Sequence, residues 1–427
     1  MEAYKKIAHD YPFLHYSNKN DVLSKYFYKA DSSPNIVLII TEGLADKFIH
    51  PYYGYNFMPF LDSLSKKSLY WDHFFTNGER SFAAVPSLTG SLPYGKSGFT
   101  LMDRLPNHFS LVNVLNNNDY YTSFFYGQGA WFHKKDAYFR FNNIDLVFDN
   151  SKFSPEYSKI IVGENKFFWG YNDKELFGQS LKVIDTLPPK KRFDIYFTGT
   201  MHSPFIISSE KYYNELYDNI IAKNKNDEEK IFLQTYRKYF LSLLFTNDAL
   251  SQFFDAYRKR PDYKNTIFIV TGDHPMTEIP IENPLKKYHV PFIIFSPLLK
   301  QPHTFHSVGS HLDLYESLLS YLHISYGQKI PFVSAAISNL LDTATPYRYT
   351  KPIVFMNRNR EVIDFLDNGF YLNNNEELYK VDENFGLERI DNEKKFRELS
   401  KKLEAFSRAS LYASTHGKLV PDSLYYK

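Results

Sequence analysis

Apolar residues arrive in this chain as short unbroken runs set between longer stretches of helical spacing. "NIVLII" at 35–40 is bounded by Pro34 on one side and by Thr41-Glu42-Gly43 on the other. A run that short and that apolar predicts a strand buried on both faces, as in a parallel sheet. "FDIYFTGTMH" (193–202), "TIFIVTGDH" (266–274) and "VPFIIFSP" (290–297) follow the same grammar. Around them, "MPFLDSLSKKSL", "HFSLVNVLNNN", "ELFGQSLKVIDTL", "RKYFLSLLFTNDALSQFFDAY" and "HLDLYESLLSYL" carry apolar residues at helical intervals. Strands alternating with helices over 34–342 predict an α/β fold, a mostly parallel central sheet sandwiched by helices.

The two ends read differently. Residues 1–33 are polar and aromatic without a clear period and close on the loop signal Asp31-Ser32-Ser33-Pro34-Asn35, which suggests an N-terminal arm. From 343 onward, "PIVFMNR", "EVIDFLDNGFYLNNN" and "ELYKVD" predict short antiparallel strands joined by Asn/Gly turns. The charged helix "NEKKFRELSKKLEAFSRASLY" follows, so 343–427 is expected to form a small C-terminal α+β subdomain.

Composition narrows the function classes. Lys+Arg 50 against Asp+Glu 48 leaves a formal charge of +2, which argues against nucleic acid as a partner because phosphate neutralisation needs a basic excess. Cysteine is absent, excluding disulfides, thiolate metal sites and a cysteine nucleophile, and suiting an extracytoplasmic protein. The 35 Tyr and 39 Phe fit rings facing sugar or lipid headgroups, or equally a codon-biased genome. No apolar run approaches bilayer length, and the opening "MEAYKKIAHDYPF" lacks an apolar signal core.

Ligands in open α/β sheets bind beyond the carboxyl ends of the strands. Three of the predicted strands end in candidate ligands: Glu42, His202, and Asp273 with His274. Taken singly, each is a solvated acid or a hydrogen-bonded histidine. Together at one end of one sheet they predict a metal site. Ser81, in "NGERSFAAVPSLTGSLP" (77–93), precedes a small apolar run and is expected to cap a helix. A helix start also presents free N–H groups and a positive dipole end, which suits a phosphate or an ionised hydroxyl. Cap and nucleophile both stand as readings of Ser81.

Four ordered motifs resemble the alkaline phosphatase superfamily, in the branch of lipoteichoic acid synthase and the phosphoethanolamine transferases, over residues 34–340. "PNIVLIITEGL" is similar to that branch's first strand, ending in a metal-binding Glu. "MPFLDSLSKKSLYWDHFFTNGERSFAAVPSLTGSLP" resembles the segment whose residue after a basic one is the nucleophile. "TMHSPF" resembles the substrate-side His, and "TGDHPM" the Asp-His metal pair. "KYHVPFIIFSP" and "GSHLDLYESLLSYL" also resemble segments of the branch. "AVPSLTG" is close to the sulfatase Cys-x-Pro-Ser-Arg signature, but Ala84 stands at the modified Cys and Leu88 at the Arg. The absence of Cys and the Pro275 after the Asp-His pair depart from the phosphoethanolamine transferases. The phosphoglycerol-transferring side is therefore the nearer match, with an alkaline phosphatase/sulfatase-like fold.

The resemblance implies one divalent metal ion, Mn²⁺ or Zn²⁺, held by Glu42, Ser81, Asp273 and His274, with Ser81 as nucleophile. It implies that His202 binds non-bridging oxygens or protonates a leaving group. Arg80, Trp131, Lys134 and Lys135 are candidate substrate contacts, the last three in the expected loop "GQGAWFHKKDAYFR". His289 is read as a substrate contact, an accessory ligand or a structural residue. The expected reaction moves a phosphoglycerol-like headgroup from a phospholipid donor to a glycan or lipid acceptor through a phospho-serine. The alternatives are hydrolysis by the same fold and a silent glycan or lipid binder. The chain is expected on the extracytoplasmic side at a membrane surface, as the domain of an anchored protein or as a paralogue without an anchor.

Overall fold

The computed structural model describes residues 10–92, 98–338, 340–374 and 376–425; residues 1–9 of the expected arm lie outside them. Eight strands make the main sheet: Asn35–Thr41 (β1), Leu69–Trp71 (β2), Tyr120–Tyr126 (β3), Leu146–Phe148 (β4), Lys191–Phe197 (β5), Thr266–Gly272 (β6), Phe292–Phe295 (β7) and His303–Phe305 (β8). Their order is β8-β2-β7-β6-β1-β5-β3-β4. β6, β1, β5, β3 and β4 run parallel to one another, as does β8 to β2. The run "VPFIIFSP" departs from this, because β7 is antiparallel to both β6 and β2.

β1 shows why the unbroken apolar run was needed. Ile36, Leu38 and Ile40 face one core, with Val85 and Leu88 of Ala84–Gly90 (α2), Leu111–Asn116 (α3) and Leu314–Tyr326 (α9). Val37 and Ile39 face the other, against Pro59–Ser65 (α1), Asp173–Ile184 (α5) and Arg237–Tyr257 (α8). Both faces of the strand are therefore covered, and all seven of its residues are buried. The stretch expected as a loop after β3 contains a short helix, Lys135–Phe141 (α4), and two helices not singled out in the sequence, Glu210–Lys223 (α6) and Asp227–Thr235 (α7), lie before α8. α4 is only seven residues long and starts after two left-handed residues, His133 and Lys134, so no helical period had room to show.

A second, antiparallel sheet follows in chain order: Ile353–Met356 (β9), Val362–Asp367 (β10), Phe370–Asn373 (β11), Glu377–Val381 (β12) and Leu387–Arg389 (β13). Its β10–β11 turn is Asn368-Gly369, both at positive φ, as a tight hairpin requires. Glu393–Thr415 (α10) lays Leu399 and Leu403 on this sheet beside Phe365 and Leu372. The far edge of β9 pairs with the Ser81 loop: Met356 N–H donates to Asn77 O at 2.9 Å, and Glu79 N–H to Met356 O at 3.0 Å. Among the described residues no helix is long and apolar enough to cross a membrane.

Candidate active site

β1 and β6 lie side by side with Thr41 opposite Gly272. The next residue on each chain, Glu42 and Asp273, therefore leaves the sheet edge beside the other. Gly43 turns the chain at φ +68°, a conformation costly for a residue with a Cβ, and its N–H donates to Asp273 Oδ1 at 2.8 Å. His274 N–H donates to the same oxygen at 2.8 Å. Thr198, just past β5, accepts from the Glu42 N–H at 3.0 Å. The Asp273 carboxylate is thus fixed by backbone groups, and Glu42 is held through its own main chain.

Ser81 enters from the other side. The structure corrects its reading as a cap: α2 begins at Ala84 with Ala83 at the N-cap, and no side chain caps it. Ser81 lies in the turn before, where its buried hydroxyl is turned to the sheet end. Its Oγ lies 3.2 Å from Glu42 Oε2 and 3.4 Å from His274 Nε2. His274 Nε2 is 3.4 Å from both Glu42 Oε1 and Asp273 Oδ2. Because His274 Nδ1 donates to Pro275 O at 3.0 Å, the Nε2 lone pair of the neutral ring faces these oxygens.

Charge in this cluster is unevenly shared. Burial opposes ionisation of Glu42, yet the hydrogen bond and charge of His274 hold it down at about 2. Burial and then the Glu42 charge push Asp273 up to about 6. Burial disfavours the His274 cation, but Asp273 and Glu42 outweigh it and raise that pKa to about 10. Asp273 Oδ2 is buried without a hydrogen-bond partner. Two carboxylates, a hydroxyl and an imidazole, with one acceptor left open, form a donor set that fits a divalent cation.

A cleft of about 150 Å³ lies over the cluster, lined by Glu42, Arg80, Ser81, His133, His202 and His274 among others. Arg80 is exposed at its rim. A neighbouring apolar pocket of about 120 Å³ shares Phe132 and His202 with it and adds Trp131, Phe167 and Trp169. Trp169 stacks on His202 with ring centroids 5.5 Å apart. Lys135 is buried between the rings of Tyr126 and Phe197; burial pushes its pKa down to about 8 against the pull of Glu42 and Asp273.

Two candidates fall elsewhere. Lys134 turns away to Asp103 at 3.5 Å and Leu101 O at 3.2 Å, because its left-handed backbone redirects the side chain. His289 does not line the cleft; its Nε2 donates to Asp72 O at 2.7 Å, inside a different pocket. His133 joins the cleft without having been expected there: burial, then Lys135 and Arg360, push its pKa down to about 3, and its Nδ1 is buried without a partner. Only its place within "AWFHKK" could have signalled it. Trp169 is equally unexpected, because it comes from the hairpin of Ile160–Val162 and Phe167–Gly170, remote in sequence from every motif.

Known proteins resemble this chain. The lipoteichoic acid synthase-like protein YvgJ of Bacillus subtilis is 25% identical over 350 residues, 74% of this chain and 53% of that protein. Phosphoglycerol transferase I of Citrobacter koseri is 21% identical over 184 residues, covering 42% of this chain and 22% of that one. The chain thus spans about half the length of the first relative and less of the second. Among solved structures, the lipoteichoic acid synthase LtaP of Listeria monocytogenes superposes with a TM-score of 0.67 at 18% identity, covering 98% of both chains. A protein in the alkaline phosphatase superfamily from Vibrio parahaemolyticus gives 0.68 at 18% identity, over 99% of this chain and 98% of that one. The sulfatase family model matches residues 34–324, a segment that runs from β1 into α9 and contains Glu42, Ser81, His202, Asp273 and His274, and on that match the chain belongs to the sulfatase family.

Proposed function

We propose that the chain is a metal-dependent phosphotransferase that moves a phosphoglycerol-like headgroup from a phospholipid to a glycan or lipid hydroxyl. The observation that carries this reading is the buried Ser81 Oγ, set 3.2 Å from Glu42 and 3.4 Å from His274 beside the open oxygen of Asp273. The relatives described as a lipoteichoic acid synthase-like protein and a phosphoglycerol transferase support it. Sulfate-ester chemistry finds less support, because Ala84, a buried residue at the start of α2, stands where the Cys-x-Pro-Ser-Arg signature that "AVPSLTG" resembles has its modified Cys.

Glu42, Ser81, Asp273 and His274 would hold one Mn²⁺ or Zn²⁺. Bound there, the ion would favour the ionised serine and draw charge from the phosphoryl oxygens. Ser81 Oγ attacks phosphorus in line, the bond to the diacylglycerol oxygen breaks, and His202 protonates that oxygen. The acceptor hydroxyl then gives its proton to the deprotonated His202 and attacks the phospho-serine, the Ser81 Oγ–phosphorus bond breaks, and Ser81 is restored. Lys135 and Arg80 supply positive charge to the phosphoryl group, Lys135 from a buried position where it is little screened. Trp131, Trp169 and Phe132 enclose the glycerol side. Trp131 and Phe167 are 67% and 54% exposed around the mouth of that pocket, where they suit a bilayer surface on the extracytoplasmic side.

The test is headgroup transfer across phosphatidylglycerol, phosphatidylethanolamine and a sulfate ester, with Mn²⁺ or Zn²⁺ supplied. Preference for phosphatidylglycerol is expected. Preference for the sulfate ester would overturn the phosphotransferase reading, and preference for phosphatidylethanolamine would overturn the phosphoglycerol assignment.

A further inference from the structure

A second cluster of ligating side chains lies away from Ser81, at the ends of β2 and β8. These strands pair in parallel with Trp71 opposite Phe305. Asp72, His73 and His306, which follow directly, consequently emerge side by side. Asp72 Oδ1 meets His73 Nδ1, and Asp72 Oδ2 lies 2.6 Å from His306 Nδ1. One atom from each residue falls within 4.8 Å of the others. Tyr347 and Phe385 wall the His73 ring, with centroids 5.0 and 4.9 Å away.

The hydrogen bonding of His73 fixes its tautomer. Its Nε2 lies 2.7 Å from the carbonyl of Glu383, which can only accept, so Nε2 carries the hydrogen. In the neutral ring Nδ1 is then a lone pair, and it points at a carboxylate oxygen. Two acceptors cannot share so close a contact: either the ring takes a second proton, as the two atoms now sit, or a bound cation takes the place of that proton and the two atoms move apart as its ligands. His289 N–H donates to the main-chain oxygen of Asp72, holding that residue from behind. The cluster borders a pocket of about 310 Å³ that also contains Asp46, Lys47, Glu282 and Lys286.

We propose that Asp72, His73 and His306 form a second divalent-metal site, separate from the Ser81 cluster and of zinc type. Two imidazoles and one carboxylate suit Zn²⁺ over Mn²⁺, which prefers oxygen donors, and they leave a coordination position open to the adjoining pocket. The ion ties the ends of β2 and β8 together. Through the Glu383 carbonyl it also ties both to the β12–β13 loop, linking the two sheets at a point that no catalytic residue touches.

Metal counting on the full chain tests this, after chelator stripping, reloading with Zn²⁺ and dialysis. Wild type is expected to keep about two ions, Asp273→Asn about one, His306→Gln about one, and the double variant none. His306→Gln should leave turnover unchanged. His306→Gln should remove about one ion in the wild-type and the Asp273→Asn background alike, so failure of the catalytic assignment does not blur the result. Co²⁺ substitution adds a second readout: visible absorption retained in Asp273→Asn and lost on adding His306→Gln. Should His306→Gln misfold by near-UV circular dichroism, the isosteric Asp72→Asn replaces it. An Asp273→Asn chain that holds no zinc, or a zinc content that His306→Gln does not lower in either background, overturns the proposal and leaves the cluster as an imidazolium–carboxylate pair.

Discussion

At Ser81 a single oxygen separates chemistry from folding. Its hydroxyl caps no helix, and its partners are Glu42 and His274. Ser81→Ala is therefore expected to change stability by less than about 1 kcal/mol while lowering turnover by at least roughly 10³-fold; Ser81→Thr should retain activity. Wild-type turnover in purified, metal-loaded Ser81→Ala would falsify the nucleophile assignment. The neighbouring ligands carry a second prediction. Protons held by His274 and Asp273, both raised, compete with the metal. Metal affinity should accordingly rise from about pH 5 up to about pH 10, with proton release on binding. Calorimetry in two buffers of different ionisation enthalpy measures that release directly, and a pH-independent affinity would remove these residues as ligands.

At the scale of elements, the 160–170 hairpin and the turn before α4 build the aromatic pocket beside the cleft. Trp169→Ala and Trp131→Ala are expected to raise KM for phosphatidylglycerol roughly 5- to 10-fold with kcat within about twofold, as when ground-state binding is lost. Equal losses in kcat would instead place these rings at the reacting centre. Between α2, α3 and α4 lies His108, fully buried, its Nδ1 donating to Pro106 O and its Nε2 accepting from Asn142. Burial pushes its pKa down to about 4. Above pH about 6.5 the ring is neutral folded or unfolded and carries no penalty. As pH falls towards about 4 the unfolded chain takes the proton first, so stability drops by on the order of 3 kcal/mol. Urea unfolding across that window should show this slope, and His108→Gln should flatten it by up to one proton.

Across the whole molecule, the C-terminal sheet is the floor under the nucleophile loop. Met356 pairs with Asn77 and Glu79, and Phe82 and Ala83 pack with Val354, Phe365 and Leu372. Tyr288 and Tyr371 both donate to Asp364, and Tyr288 also reaches Glu79 at 3.4 Å. Leu372→Ala is expected to cost about 2–5 kcal/mol through the cavity it leaves. It should also lower kcat well below the unfolding temperature, because the support of residues 77–83 loosens. Unchanged kcat in the folded variant would show that the two sheets are mechanically independent.

What the chain dictates by itself is local. "NIVLII" and "TIFIVTG" are short, rich in β-branched residues and apolar without a break, which favours strands covered on both faces over helices. With parallel strands, Glu42 and Asp273-His274 then had to share one edge. The same holds for the Asn368-Gly369 turn, whose backbone only such residues adopt readily. Tertiary structure decided the rest, since it depends on which surfaces meet across long separations. β7 runs antiparallel, α2 starts three residues beyond Ser81, Lys134 and His289 turn away, and Trp169 arrives from a distant hairpin. None of these has a periodicity to read, because each is settled by packing against elements far along the chain rather than by its own residues.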